Sequence, residues 1–379
     1  MTLSDCRILV TGANGFIGKN LILRAGELAN VAVSTFLRGD DVQLLPQLLS
    51  QVDAVVHLAG ENRPVNEVAF TQVNAGLTSA LCDAIRQTYQ SSGRYPPLVL
   101  ASSSQAENES PYGRSKLEAE KTVQALGAET GNPCIIFRLP GVFGKWCKPN
   151  YNSVVATFCH NIARDLPVKI NDPEANLRLL YVDDVVTALL AALKAPTSGV
   201  THGFVEPEYT ITLGELANKI RAFGDCRSNL LTERVGTGLA RALYATYLSY
   251  LPSDGFTYEV PRHSDTRGVF VEMLKTPDSG QFSYFTAHPG VTRGGHYHHT
   301  KTEKFLVVKG QARFRFRHLL TNELVELHVD GDNPEVVDTV PGWTHDITNV
   351  GNEEMVVMLW ANENFDPEKP DTIISKILQ

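Results

Sequence analysis

The stretch CRILVTGANGFIG at residues 6–18 decides the fold of the N-terminal half of the chain. An apolar run ends at Thr11, and a glycine-rich turn leads into a helical pattern. Strand, turn and helix in this order bring backbone amides to a helix N-terminus, where they can face a pyrophosphate. An ordinary turn is the alternative, which the flanking elements disfavour. The predicted dinucleotide contacts are Gly12, Asn14, Gly15, Phe16, Ile17 and Gly18.

Outward from this stretch, apolar runs alternate with helical patterns through the first half of the chain. The further runs cover residues 31–37, 54–58, 98–102 and 134–139. Continuous apolar strands separated by helices predict an α/β fold of Rossmann type, with a doubly wound parallel sheet covered on both faces. After about Phe256 the pattern changes to short alternating strands between Gly, Pro and Asn turns, which predicts an all-β barrel or sandwich. We expect two domains, 1–248 and 256–379.

Composition excludes several classes of protein. The 379 residues are 43% hydrophobic and 20% charged, which is typical of a folded chain rather than a disordered one. Acidic residues outnumber basic ones by 42 to 34, so we expect no nucleic-acid partner. No stretch resembles a secretory signal or a membrane span, and the six cysteines are widely spaced without a CxxC pair. We therefore expect a cytoplasmic protein that does not insert into membranes.

The end of the second apolar run indicates which nicotinamide cofactor is used. The chain there reads Phe36-Leu37-Arg38-Gly39-Asp40, where NAD-binding proteins usually place an acidic residue. A guanidinium suits the 2′-phosphate of NADPH, so Arg38 predicts that cofactor. The alternative is a solvated Arg38 with Asp40 or Asp41 on the ribose, which would favour NAD.

A serine run and a Tyr/Lys pair predict carbonyl chemistry. Ala101-Ser102-Ser103-Ser104 ends a strand, and Tyr112 and Lys116 stand four residues apart where a helix is predicted, so they share one face. A tyrosine with a pKa of about 10 is a usable proton donor, and a neighbouring ammonium favours its phenolate. In a ketone reduction, Ser104 would polarise the carbonyl and Tyr112 would protonate it.

Four residues of the C-terminal half predict a metal site. Residues two apart on a strand share a face, so His296 and His298 can converge on one ion while His299 points away. Glu303 and the distant His345 would complete the ligand set. Three imidazoles and a carboxylate suit zinc, and also iron, manganese or nickel. A histidine cluster without a metal is the alternative.

TGANGFIG, HLAG, SSS, YGRSK and RLLYVDD, in this order, resemble the extended short-chain dehydrogenase/reductase family of nucleotide-sugar enzymes over about residues 6–240. The resemblance implies that Ser104, Tyr112 and Lys116 are catalytic, with Ser103 as the alternative register. It also implies that His57, Leu58 and Ala59 lie along the cofactor, with simple packing as the alternative for His57. Arg178 and the segment 145–152 would border a UDP-sugar, with Lys148 and Asn150 as contacts and Cys147 as a packing thiol.

The pattern HxHx4Ex6G at 296–310, followed by Gx2Hx3N at 342–349, resembles the cupin family of metal-binding β-barrels. Residues 265–272 and 293–297 resemble the sugar 3,5-epimerase branch of cupins. Those relatives work without metal and use a histidine base at the position of His296. The two roles compete for that residue, and we favour the ligand role.

The segments YVDD, GKWCKPNYNSV and HHTKTEKFLVV resemble the bifunctional capsular polysaccharide enzymes of UDP-N-acetyl-L-fucosamine biosynthesis. This resemblance implies a homodimer that epimerises C3 of a UDP-linked 4-keto-6-deoxy amino sugar. NADPH then reduces C4, giving UDP-2-acetamido-2,6-dideoxy-L-talose. Lys304, Tyr297, His299 and an ion-bound water remain possible bases. The alternatives are a reductase with a structural, dimerising cupin, and a protein that only senses NADP.

Overall fold

The structure, a computed structural model, describes residues 6–62, 70–194 and 196–377. The chain forms two compact units. The larger comprises the described residues of Met1–Ile220 and Ala242–Leu251, and the smaller those of Arg221–Arg241 and Pro252–Gln379. Arg221–Arg241 thus belongs to the smaller unit, although the sequence prediction places it in the first domain.

The larger unit is built on a six-stranded parallel sheet. The described strands of the larger unit, in chain order, are β1 (Cys6–Thr11), β2 (Val31–Phe36), β3 (Ala54–His57), β4 (Leu98–Ser103), β5 (Cys134–Leu139), β6 (Gly141–Phe143), β7 (Asn176–Tyr181), β8 (Val200–Gly203) and β9 (Tyr209–Thr212). The main sheet has the order β2-β1-β3-β4-β5-β8, and every pairing in it is parallel. A small second sheet has the order β6-β7-β9. The predicted doubly wound α/β fold is confirmed.

Helices connect these strands. Their bounds are α1 (Phe16–Gly26), α2 (Leu45–Ser50), α3 (Leu77–Ser92), α4 (Pro111–Thr130), α5 (Val154–Ile162), α6 (Val182–Ala192), α7 (Leu213–Asn229) and α8 (Gly238–Leu248). Among the described residues, no helix is both long enough and apolar enough to span a bilayer.

Burial on both faces explains why the central strands are apolar without interruption. Ile8 and Val10 of β1 pack in one hydrophobic cluster, and Leu9 between them packs in the other. All three side chains are fully buried. Successive residues of a strand point to opposite faces, so a sheet covered on both faces needs an apolar residue at every position.

After Phe256 the smaller unit is an all-β structure, as the sequence predicts, whereas its Arg221–Arg241 portion contains the end of α7 and the start of α8. Its described strands are β10 (Arg262–Asp265), β11 (Gly268–Lys275), β12 (Gln281–Ala287), β13 (Thr292–Tyr297), β14 (Glu303–Lys309), β15 (Gln311–His318), β16 (Leu324–Asp330), β17 (Val336–Asp338), β18 (Trp343–Asn349), β19 (Met355–Ala361) and β20 (Ile373–Ile374). They form two antiparallel sheets with the orders β10-β11-β12-β19-β14-β17 and β16-β15-β18-β13-β20. An apolar core that includes Phe305, Phe314 and Val357 draws side chains from both sheets.

Candidate functional site

The glycine turn after β1 packs directly against the end of β3. Gly12 has a φ of +69°, and a Cβ there would lie 2.6 Å from the Ala59 nitrogen. A Cβ on Gly18 would lie 2.4 Å from the Gly12 oxygen, so only glycine lets α1 approach the turn. Gly15, the residue before α1, makes no side-chain cap, and the first turn of α1 holds no acidic residue. The backbone amides of the glycine turn at the N-terminus of α1 therefore suit an anionic group.

The remaining predicted cofactor contacts around the turn divide into exposed and packed residues. Asn14 and Gly15 are exposed beside the turn. Phe16, Ile17 and Leu58 are partly buried and pack against the cluster beneath the sheet. The Leu58 nitrogen donates to the Thr11 oxygen at 3.2 Å, so the segment after β3 runs alongside the turn.

His57 is a buried packing residue with both ring nitrogens occupied. Its Nδ1 lies 2.6 Å from the Thr11 hydroxyl and its Nε2 lies 2.9 Å from the Thr78 hydroxyl. Burial, with a smaller contribution from Lys116, lowers its pKa to about 3, so the ring is neutral. The Thr11 hydroxyl also accepts from the Ala59 nitrogen. The geometry favours the packing alternative for the His57 side chain, which holds the cofactor-side segment in place.

Three charged residues after β2, namely Arg38, Asp40 and Asp41, bear on the choice between NADPH and NAD. The Asp40 carboxylate accepts from the Leu37 nitrogen at 2.7 Å, and the Asp41 carboxylate accepts from the Gln43 nitrogen at 3.0 Å. Both acids are thus engaged in their own turns. The Arg38 side chain is 78% exposed and donates to Glu61 at 2.6 Å. All three charged residues are exposed, but the two carboxylates accept from backbone nitrogens nearby, whereas the Arg38 guanidinium pairs with another side chain.

Tyr112 meets a serine hydroxyl at the carboxyl end of β4. The Ser110 hydroxyl caps α4 by accepting from the Gly113 nitrogen at 3.0 Å, which places Tyr112 in the first helical turn. Burial raises the pKa of Tyr112, and hydrogen bonding with Ser103 partly offsets that rise. Ser104 begins a single turn of 3-10 helix, Ser104–Glu107. The geometry therefore favours Ser103 over the predicted Ser104 as the hydroxyl partner of Tyr112.

Lys116 is buried one helical turn after Tyr112 on α4, a spacing that puts the two residues on one face. Its ammonium donates to the Ala101 oxygen at 3.2 Å. A Cβ on Gly60 would lie 3.0 Å from Lys116 Nζ, so the segment after β3 passes close to the ammonium. Burial lowers the pKa of Lys116 to about 8, and the charge of Glu120 opposes that shift. The predicted pair therefore has an ammonium available at neutral pH.

Sequence reasoning missed a buried carboxylate one turn beyond Lys116. Glu120 is fully buried. It accepts from the Ser102 hydroxyl at 2.5 Å and from Arg138 Nη2 at 2.7 Å. Arg138 also reaches Glu107 at 2.9 Å. The i, i+4 spacing after Lys116 is the one signal in the sequence, and it predicts a shared helix face but no partner.

Asn74 is a second residue that sequence reasoning missed. It is 1% exposed, and its side chain accepts from the Glu61 nitrogen at 2.8 Å. Its amide nitrogen donates to the Ser115 hydroxyl at 2.9 Å, beside Lys116 on α4. Asn74 thereby ties the segment after β3 to α4, which carries Tyr112 and Lys116.

The predicted sugar contacts lie on the segment after β6 and on β7. Arg178 forms a two-pronged ion pair with Glu208, at 2.5 and 3.0 Å. The Lys148 ammonium lies 5.1 Å from the centre of the Tyr151 ring, and Asn150 has a φ of +53°. Burial raises the pKa of Cys147, which accords with a packing thiol.

In the smaller unit, the structure brings together all four predicted metal ligands. One ligand atom from each of His296, His298, Glu303 and His345 lies within 4.8 Å of the others. β13 and β18 pair His296 with His345, and His298 follows β13 directly. Glu303 begins β14, with Oε2 lying 3.3 Å from His298 Nε2 and 3.5 Å from His345 Nε2. His298, Glu303 and His345 are buried.

The electrostatics of this cluster fit a divalent cation. Burial and the neighbouring imidazoles lower the pKa of His296 to about 4, which leaves its ring neutral. Burial opposes ionisation of Glu303, but His298, His345 and Lys301 outweigh it and hold the pKa of the carboxyl well below its usual range. Both ring nitrogens of His345 are buried without a hydrogen-bond partner among the described residues. Three imidazoles, a carboxylate and the orphaned nitrogens of His345 form a donor set that zinc accepts.

The three side chains predicted as possible bases for C3 epimerisation, Lys304, Tyr297 and His299, differ in exposure and in their contacts. Lys304 follows Glu303 on β14, so its side chain points to the opposite face; it is exposed and pairs with Asp338 at 2.5 Å. The rings of Tyr297 and His299 contact each other edge to face, with centroids 5.6 Å apart. His299 is exposed, whereas Tyr297 is partly buried.

Comparison with known proteins follows the division between the two halves. Residues 8–206 match the NAD dependent epimerase/dehydratase family. Residues 263–373 match the polysaccharide biosynthesis C-terminal domain.

Similar proteins cover almost the whole chain. A UDP-2-acetamido-2,6-beta-L-arabino-hexul-4-ose reductase of Pseudomonas aeruginosa is 57% identical over 366 residues, 97% of each chain. The crystal structure of the capsular polysaccharide assembling protein CapF from Staphylococcus aureus has a TM-score of 0.88 at 41% identity, over 97% of this chain and 99% of that one. The enzyme WbmF of Bordetella bronchiseptica, solved with NAD+, shares the fold at 21% identity and a TM-score of 0.52, over 59% of this chain and 80% of that one.

Proposed function

The chain belongs to the NAD dependent epimerase/dehydratase family, and on that premise we propose that it is a bifunctional nucleotide-sugar enzyme. Its smaller unit epimerises C3 of a UDP-4-keto-6-deoxy-HexNAc. Its larger unit then reduces the C4 ketone with NADPH, giving UDP-2-acetamido-2,6-dideoxy-L-talose. The observation that carries the proposal is the Tyr112 hydroxyl, which hydrogen-bonds with Ser103 one helical turn before the buried Lys116, in a chain 57% identical to a UDP-sugar ketone reductase.

The cofactor proposal rests on the glycine turn and on Arg38. The turn amides would hold the pyrophosphate at the N-terminus of α1. Arg38 would contact the 2′-phosphate, because Asp40 and Asp41 already accept from backbone nitrogens in their own turns. A guanidinium matches the phosphate geometry with two parallel N–H donors.

The reduction assigns one task to each residue of the catalytic group. When bound, NADPH supplies the hydride that adds to C4 of the sugar. The Ser103 hydroxyl donates to the ketone oxygen, where negative charge develops as the C–O double bond opens. The Tyr112 hydroxyl transfers its proton to that oxygen and becomes a phenolate. The Lys116 ammonium stabilises the phenolate, and the side chain is reprotonated from solvent before the next turnover.

Epimerisation must precede reduction for a chemical reason. A ketone at C4 acidifies the proton on C3, so a base can remove it and the carbon can be reprotonated on the opposite face. Reduction removes the ketone and with it that acidity.

Arg262, Arg267 and Arg293 line a concave surface of the smaller unit, where their positive charges favour the diphosphate of a UDP-sugar.

The metal proposal assigns zinc to His296, His298, Glu303 and His345. When bound, the ion supplies a fixed positive charge and a Lewis acid. His296 acts as a ligand here, which is consistent with its neutral ring and its place in the cluster. The proposal also comprises a homodimer in the cytoplasm, where the six free thiols of the chain would remain reduced.

The test is NMR of UDP-4-keto-6-deoxy-HexNAc in D₂O, with and without NADPH. We expect deuterium to enter C3 without NADPH, and the 4-alcohol to form only when NADPH is added. Reduction without any C3 exchange would overturn the epimerase and leave the second candidate, a reductase with a structural C-terminal unit. Failure of reduction with NADPH present would overturn the reductase assignment itself.

A further inference from the structure

The last described part of the chain runs beside the metal cluster. We call residues 371–376 the C-terminal segment. Within it, β20 pairs with β13 at His296 and Tyr297. The Ser375 hydroxyl accepts from the Thr344 hydroxyl at 2.8 Å. Thr344 immediately precedes His345 in the chain. The segment therefore lies against the neighbours of two ligands that stand far from it in sequence.

Asp371 makes the densest set of contacts in this segment. Its carboxylate accepts from three successive backbone nitrogens, those of His299 at 2.9 Å, Thr300 at 2.7 Å and Lys301 at 2.8 Å. It also accepts from the Thr300 hydroxyl at 3.0 Å. Residues 299–302 lie between β13 and β14 outside regular structure, so the carboxylate takes the place of a strand partner for them.

The backbone of Asp371 acts on a ligand directly. Its carbonyl oxygen accepts from Nδ1 of His298. A carbonyl has no proton to give, so this contact requires the proton on Nδ1 and leaves the lone pair on Nε2. Nε2 is the nitrogen that faces Glu303, at 3.3 Å.

We propose that Asp371 is a positioning residue of the metal centre, an inference that rests on the metal site of the proposed function. Its carbonyl selects the tautomer of His298 that offers Nε2 to the ion. Its carboxylate fixes the loop 299–301, which sets the spacing between His298 and Glu303. The same carboxylate contacts hold the carbonyl in place, so a side-chain substitution disturbs both roles although the carbonyl itself remains in the chain. Partners of this kind orient metal ligands, and their loss typically weakens metal affinity by about 10–100-fold.

The experiment measures zinc affinity of the full chain by competition with a chromophoric chelator. It compares the unmodified protein with Asp371→Ala and with Asp371→Asn, which keeps one acceptor oxygen. Asp366→Asn is the matched control, since the Asp366 carboxylate also accepts from a backbone nitrogen, that of Glu368 at 2.9 Å. We expect about 10–100-fold weaker binding for Asp371→Ala, a smaller loss for Asp371→Asn and no change for Asp366→Asn.

Cobalt substitution provides a readout that general destabilisation would leave unchanged. The visible absorption of bound Co²⁺ reports ligand geometry, and we expect it to shift in both Asp371 variants. Unaltered zinc affinity and an unaltered cobalt spectrum in these variants would overturn this inference alone. Absence of zinc binding by the unmodified protein would overturn the metal centre, and this inference with it.

Discussion

At the scale of single residues, the run of three serines at the end of β4 shows how neighbouring side chains acquire different roles. Ser102 points to Glu120 and donates to its carboxylate. Ser103 points the other way, where its hydroxyl accepts from the Gln105 nitrogen and interacts with Tyr112. Ser104 belongs to the following helical turn. Alternation along the strand thus separates a structural serine from the candidate catalytic one.

We predict that Ser103→Ala lowers kcat for NADPH-dependent reduction by about 10²–10³, because it removes a donor to the developing oxyanion. Ser104→Ala is the matched control, and we expect it to retain nearly full activity. NADPH oxidation at saturating ketone, followed at 340 nm, measures both. A large loss in Ser104→Ala with an active Ser103→Ala would show that Ser104 holds the catalytic position.

At the scale of elements, the approach of α1 to the turn after β1 forms the cofactor end of the larger unit. A Cβ on Gly18 would meet backbone oxygens of Gly12 and Ala13 at 2.4 and 2.7 Å. Backbone atoms cannot rotate aside as a flexible side chain does, so the helix would have to move. Gly26 ends the same helix, and a Cβ there has nothing within 4 Å.

We predict that Gly18→Ala weakens NADPH binding, because displacing α1 moves the amides from the pyrophosphate site. Overpacking of this kind costs about 1–3 kcal/mol, and each 1.4 kcal/mol lost from binding raises Kd about tenfold. Gly26→Ala should leave NADPH affinity unchanged. Calorimetric titration with NADPH measures the difference. Equal affinities in the two variants would show that α1 does not take part in binding the cofactor.

At the scale of the whole molecule, the two candidate sites lie in separate compact units. Tyr112 and its partners belong to the larger unit, and the four candidate metal ligands belong to the smaller. Ser103, Tyr112 and Lys116 thus all belong to one unit, and all four candidate metal ligands belong to the other. The proposed two-step chemistry should therefore be separable by substitution.

We predict that Tyr112→Phe lowers the rate of NADPH-dependent ketone reduction by about 10²–10⁴-fold, because it removes the proton donor. The exchange of deuterium into C3 should be unaffected. His298→Ala should lose C3 exchange and metal, yet still reduce ketone that has already been epimerised. A mixture of the two variants should then form the 4-alcohol from the unepimerised ketone, as followed by NMR. Normal reduction by Tyr112→Phe would show that the catalytic assignment is wrong.

Sequence periodicity was sufficient for the fold class and for much of the candidate sites. Apolar runs without interruption predicted a sheet buried on both faces, and that prediction is confirmed. Spacings of two and four residues placed His296 with His298, and Tyr112 with Lys116, because strand and helix geometry alone decide which near neighbours share a face. The glycines of the turn after β1 were readable for the same local reason.

Only the tertiary structure decided which distant groups meet. The neutral, fully bonded ring of His57, the Glu120–Arg138 pair and the contact of Asp371 with His298 join residues 18 to 73 positions apart. No local periodicity links positions so far apart. Their contacts arise when helices and strands pack, and packing settles which hydroxyl, carboxylate or carbonyl satisfies each buried polar group. The sequence by itself determined the fold class and most of the candidate site residues, and the packed structure decided how those side chains are held and which serine meets Tyr112.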